Sequence, residues 1–252
     1  MITIEIRYPG MFYKRILKSN IPESWSEINA DQLIKIVLLN ECQDINGVDF
    51  IECFTGINLK LLIRLDRFIN FKLCNLLNFL SEVEPCTHIF FIKKIKGLNL
   101  YAPEDKLNGM TFGQFIFCES YYNEWVREPD NESLIRFVGA LYLGKKETFS
   151  AEGIEKRSLL LNKCSRIKLK AIALNYSMVI RWMQLRYPMV FTEGKKQGDE
   201  ELSKKMISSV WVKLFESIVG DDLIHRDSYA QLPIHAVLKF MTRKYIEGLK
   251  VD

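Results

Sequence analysis

The chain has 252 residues, of which 48% are hydrophobic, 12% aromatic and 26% charged, with 13 glycines and 7 prolines. That composition supports a sizeable core and excludes a fibrous or wholly disordered chain. The formal charge of +4 permits contact with a polyanion without arguing for one. No run approaches the ~18–20 apolar residues of a membrane span, and the opening Met1-Ile2-Thr3-Ile4-Glu5-Ile6-Arg7 alternates where a secretory signal would be continuously apolar. Six cysteines without a Cys-x-x-Cys pair read as reduced, mostly buried thiols. A cytoplasmic protein is expected.

In chain order, Ile2–Tyr8 and Met11–Lys18 read as strands turning at Pro9-Gly10, where Pro then Gly suits type II geometry. Asn29 and Gln32 have capping-box spacing, which starts a helix near Ala30 and runs it to about Asn40, with Leu33, Ile36, Val37 and Asn40 on one face. Gly47–Thr55 is a second helix, stopped by Gly56. Asn58 caps a third over Leu59–Leu65, and Phe68–Glu84 forms a longer one ended by Pro85. A second hairpin follows, with β-formers over Thr87–Lys94, a turn at Lys96-Gly97 and a return over Leu98–Tyr101. Thr111 and Gln114 repeat the capping-box spacing ahead of a helix to about Arg127. Further helices are predicted over Leu134–Leu143, Ile154–Cys164 and Ile167–Arg186, with Pro188 closing the last.

Residues 192–201 hold two glycines, many charges and no apolar residue, the composition of a flexible linker. The predicted fold is therefore α+β and predominantly helical. A body over 1–191 carries hairpins near 2–18 and 87–101, the linker spans 192–201, and a tethered helical unit spans 202–252. In that unit a helix over Ser203–Val219 has Met206, Val210, Leu214 and Ile218 on one face and Gly220 as its stop. A final helix after Leu232-Pro233 presents Ile234, Val237, Leu238 and Met241. Removal of everything from Leu202 onward is expected to leave the body folded.

No catalytic, cofactor or metal constellation emerges. Neither G-x-G-x-x-G nor G-x-x-x-x-G-K-[ST] occurs, and His88, His225 and His235 form no metal-ligand spacing. The carboxylate pairs at Asp199-Glu200-Glu201 and Asp221-Asp222 fall in the linker and at a helix end, not in a cleft suited to acid–base work. A non-enzymatic protein with no cofactor is expected. Two surfaces are candidates for binding. Trp25, Trp125, Trp182 and Trp211 read first as core anchors, because large aromatics bury the most area per residue; as a second reading, Trp211, Leu214, Phe215, Val237 and Met241 dock a protein partner from the tethered unit, since Trp is enriched in hot spots. Lys156, Arg157, Lys163, Arg166 and Lys170 form a basic stretch, read first as a solvated face and second as a contact for phosphate or an acidic protein.

Several short motifs occur in a recognisable order. Pro22-Glu23-Ser24-Trp25-Ser26-Glu27-Ile28-Asn29 precedes Gln32-Leu33, and Phe54-Thr55-Gly56-Ile57 precedes a Leu-rich helix through Asn78-Phe79-Leu80. Leu107, Met110-Thr111-Phe112-Gly113-Gln114-Phe115 and Glu119 come next, followed by Trp211, Asp221-Asp222 and Leu232-Pro233. This order resembles small tail-morphogenesis proteins of bacteriophages and prophages, notably of Bacteroidetes hosts, regarded as candidate tail assembly chaperones. The Trp182 region has no counterpart, and Ile116-Phe117 stands where a polar residue is usual. The resemblance implies a protein-binding helper in the bacterial host cytoplasm that holds tape-measure or tail-tube subunits, with a virion component of neck or tail as the alternative. It implies no membrane association and supplies no catalytic residues. Oligomerisation is left open.

Overall fold

A computed structural model describes residues 1–9, 14–42, 47–81, 85–191, 211–220 and 222–248. The fold is α+β and predominantly helical, as expected. Its compact units are Met1–Thr87 and His88–Asp252. The boundary thus falls between the first set of helices and the second hairpin region, whereas the predicted linker 192–201 lies outside the described residues.

The first unit opens with an antiparallel hairpin of β1 (Ile2–Pro9) and β2 (Lys14–Ile21). Pro9 pairs with Lys14 and Ile2 with Ile21, so Pro9 is still in the ladder and the turn expected at Pro9-Gly10 is corrected. The observed register sets Ile6 across from Leu17 and carries the ladder to Ile21, whose side chain is 1% exposed. A turn centred on Pro9-Gly10 would have set a cation, Arg15, across from Ile4; burial of Ile6 and Ile21 on one face selects the register. On the opposite face Thr3 Oγ1 donates to Asn20 Oδ1 at 2.9 Å and Lys18 pairs with Glu5 at 3.6 Å.

Among the described residues four α-helices follow: α1 (Ala30–Asn40), α2 (Gly47–Thr55), α3 (Leu59–Leu62) and α4 (Arg67–Leu76). The capping box of α1 is complete, with Gln32 N donating to Asn29 Oδ1 and Asn29 N to Gln32 Oε1, both at 2.9 Å. Leu33, Ile36 and Val37 are buried while Asn40 faces solvent. Gly56 takes φ +67 at the end of α2, a left-handed conformation that costs glycine nothing. Lys60 N donates to Asn58 Oδ1 at 2.8 Å, the expected cap of α3, although the helix closes at Leu62 rather than Leu65. The helix expected over Phe68–Glu84 is also shorter. Leu77 caps α4, and Asn78–Ser81 tightens into a 3-10 turn. That turn lets Phe79 O accept from Trp25 Nε1 at 3.0 Å, and the Phe79 ring meets Trp25 and Phe54 edge-on, each at 6.0 Å.

In the second unit, β3 (Lys94–Ile95), β4 (Leu100–Tyr101) and β5 (Leu143–Gly144) form a small antiparallel sheet in that order. The strand predicted over Thr87–Lys94 is therefore largely absent: only its last residue pairs. Side chains replace the ladder along this stretch. Asn175 accepts from Phe91 N at 2.8 Å and donates to Ile89 O at 2.9 Å, while Tyr142 Oη donates to Ile92 O at 2.5 Å.

Helices α5 (Phe112–Arg127), α6 (Asn131–Leu141), α7 (Ala151–Leu161) and α8 (Arg166–Arg186) build the core of this unit. α6 begins three residues earlier than predicted because Asp130 caps it, accepting from Glu132 N and Ser133 N at 2.7 and 2.9 Å. Thr111 caps α5 through Gln114 N at 3.2 Å, but the Gln114 side chain donates to Ala140 O at 2.9 Å instead of returning to the cap. Pro188 starts a single turn, α9 (Pro188–Phe191), after α8 ends.

The last described elements are α10 (residues 211–219), α11 (Arg226–Ala230) and α12 (Ile234–Gly248). Gly220, at φ +54, terminates α10. Phe112 N donates to Leu232 O at 2.8 Å and Ile234 N to Met110 O at 3.0 Å, stitching the start of α12 to the start of α5. No helix among the described residues is long and apolar enough to cross a membrane.

Candidate functional site

The residues proposed as a docking face from the tethered unit have other work. Trp211, Phe215, Val237 and Met241 are buried, and Leu214 is half-buried. Trp211 meets Phe115 edge-on at 4.9 Å and Phe191 at 5.3 Å, while Phe215 lies 6.0 Å from Phe112. The buried face of α10 is Trp211/Phe215/Val219, one position round from the predicted Leu214/Ile218 stripe; Met206 and Val210 lie outside the described residues. The large aromatics decide this rotation, because they bury more area per side chain than Leu or Ile.

The basic stretch is divided in the same way. Lys156 and Lys163 are exposed, and Arg166 and Lys170 are half-buried. Arg157 is 3% exposed and leaves the surface altogether. Its Nε donates to Gly139 O at 2.5 Å and its Nη1 pairs with Glu147. A guanidinium so engaged holds the α6–α7 packing and its short loop together, and is not available to a phosphate.

Trp211 also reaches a buried carboxylic acid. Glu119 is 5% exposed on α5, and its Oε1 accepts from Tyr176 Oη at 2.7 Å. Burial pushes this carboxyl up to about 7, against hydrogen bonds from Tyr176, Trp211 and Asn123 that favour the charged form. The neighbouring Tyr122 phenol is pushed up to about 12, again by burial. Tyr122, Phe137 and Tyr176 enclose the site with ring centroids 4.9–5.3 Å apart. The arrangement ties α5, α8 and α10 together through one titratable group.

The histidines are likewise engaged. His235 Nε2 lies 2.6 Å from Lys106 O, which can only accept, so Nε2 carries the proton. Nδ1 is then the acceptor for Tyr187 Oη at 2.8 Å. Trp182 packs between His88 and His235, with centroids at 5.9 and 6.3 Å. This cluster clamps Lys106 and Leu107, both in the left-handed region at φ 67 and 59. His225 contacts Asp222 at 2.8 Å on the exposed surface. Among the described residues no group of three or more His, Cys, Asp or Glu could hold a metal ion.

One apolar surface in the first unit remains uncovered by that unit. Phe68 and Phe71 on α4 are 61% and 62% exposed, and Ile63, in the turn before it, is 67% exposed. Leu73 and Leu77 anchor the other side of α4, so Arg67, Phe68, Phe71, Lys72 and Asn75 form its outward stripe. From the sequence, Phe68 and Phe71 fall in the helix predicted over Phe68–Glu84 and carry no binding expectation. The signal was present: a ten-residue helix with Phe68, Ile69, Phe71, Leu73 and Leu76 around its circumference cannot bury all of them against one neighbour.

The chain matches no known family model, no curated protein and no solved structure.

Proposed function

We propose that this protein is a non-enzymatic binding factor in bacteriophage tail assembly, one that holds tape-measure or tail-tube protein before polymerisation. The phage setting is supported by the order of motifs from Pro22-Glu23-Ser24-Trp25 to Leu232-Pro233. The observation that carries protein binding is the exposed Phe68/Phe71 pair of α4, with Ile63 before it. Burying either ring on a partner contributes about 1.5–3 kcal/mol. Trp211 and Phe215 of α10 and Val237 and Met241 of α12 are committed to the chain's own core, so docking passes from these residues to the first unit.

Co-expression with the tape-measure protein encoded nearest to it tests this function. A soluble complex is expected, together with absence of the chain from purified particles by mass spectrometry. Stoichiometric presence in the particle would support a virion component instead. Absence from the particle combined with no effect on tape-measure solubility would remove both tail readings.

A further inference from the structure

The exposed aromatics of α4 are surrounded by charge of one sign. Residues 59–76 contain Lys60, Arg64, Arg67 and Lys72 against a single acid, Asp66. Asp66 is the cap of α4, its Oδ1 accepting from Phe68 N at 2.8 Å. All four cations are exposed, and none makes an ion pair with a described residue. Across residues 1–87, in contrast, acids outnumber bases eleven to nine. The positive charge is therefore local to the aromatic face and sits within a unit that is acidic as a whole.

From this juxtaposition we propose that the α3–α4 surface docks a short acidic segment of a partner protein, with apolar side chains seated on Phe68, Phe71 and Ile63 and carboxylates facing Arg64, Arg67 and Lys72. The proposal rests on the protein-binding reading above and adds the chemistry of the partner. The outward stripe from Arg67 to Asn75 spans about 12 Å of helix, the length of two turns of a partner helix with anchors at i, i+3 and i+4. Charges on such a rim set encounter rate and specificity, while the rings supply the buried area.

An extended polyanion fits less well. Nucleic acid and anionic bilayers feel charge over a Debye length of about 8–10 Å and beyond the patch, where the acidic remainder of the unit repels them.

Binding of fluorescent peptides to the full chain, read by anisotropy, tests the proposal. The probes are amphipathic helical peptides with Leu and Phe anchors flanked by Glu, and the same peptides flanked by Lys. Phosphatidylserine vesicles and oligouridine provide the other arms. The Glu-flanked peptides should bind, weaken with added salt, and lose affinity tenfold or more on Phe68→Ala/Phe71→Ala and on Arg67→Glu/Lys72→Glu. These side chains are exposed, so unchanged thermal melting will show that the variants are folded. Equal binding of Lys-flanked peptides, indifference to both double substitutions, or binding of only vesicles or oligouridine would overturn it. Peptide capture is independent of particle composition and tape-measure solubility, so this proposal and the tail-assembly reading can fail separately.

Discussion

Glu119 shows how one side chain can make the stability of a helical core depend on pH. In the folded state its carboxyl titrates near 7, against an ordinary value of 4.5. Between those values the folded chain keeps a proton that the unfolded chain has released. Its contribution is complete below about pH 4.5 and is lost as pH rises through about 7, an effect on the order of 3 kcal/mol. Denaturant unfolding at pH 5, 6, 7 and 8 should show this decline, and Glu119→Gln should flatten it while keeping an acceptor for Tyr176. Asn175 is a second decisive residue. It is 1% exposed and serves as a substitute peptide group for Phe91 N and Ile89 O. Asn175→Leu would strand both, at a cost of roughly 2–4 kcal/mol, measurable as a lower denaturation midpoint.

Element by element, starts were more legible than ends. A cap is a contact between residues two or three apart, so Asn29 with Gln32 and Thr111 with Gln114 could be read directly. The ends of α3 and α4 depend instead on tertiary partners such as Trp25, whose indole reaches Phe79 O from 54 residues away. Helix contacts also impose sizes that no local pattern specifies. A Cβ on Gly139 would sit 3.0 Å from Ser158 Oγ and 3.3 Å from Ile154 O, because α6 and α7 approach closely there. Gly139→Ala should therefore destabilise by about 1–3 kcal/mol, and Ser158→Gly in the same chain should recover part of the loss. Thermal melts of the single and double variants read that coupling directly.

For the molecule as a whole, the important change concerns the C-terminal elements. Expected as a tethered pair, they complete the second unit: Trp211, Phe215, Ile234, Val237, Leu238 and Met241 are all buried there. Each contributes about 1.5–3 kcal/mol by burial, together more than the 5–15 kcal/mol by which a domain is usually stable can readily spare. A chain ending at residue 201 should lose near-UV circular dichroism from this unit and bind a hydrophobic dye, while Trp25 and the first unit keep their protection from proteolysis. A truncated chain with native near-UV signal would restore the tethered arrangement.

The amino-acid sequence by itself determined the helical α+β class, most helix starts and the apolar face of α12, because periodicity and capping act over a few residues. It also held the α4 surface, in the form of more large apolar residues than one helix face can bury. Only the tertiary structure decided that Phe215 belongs to the core, that Arg157 is a buried tie and that Ile89–Ile92 is held by side chains in place of a ladder. The physical reason is common to all three. Each depends on partners distant in the chain, and burial and hydrogen-bond satisfaction are settled only when those partners meet.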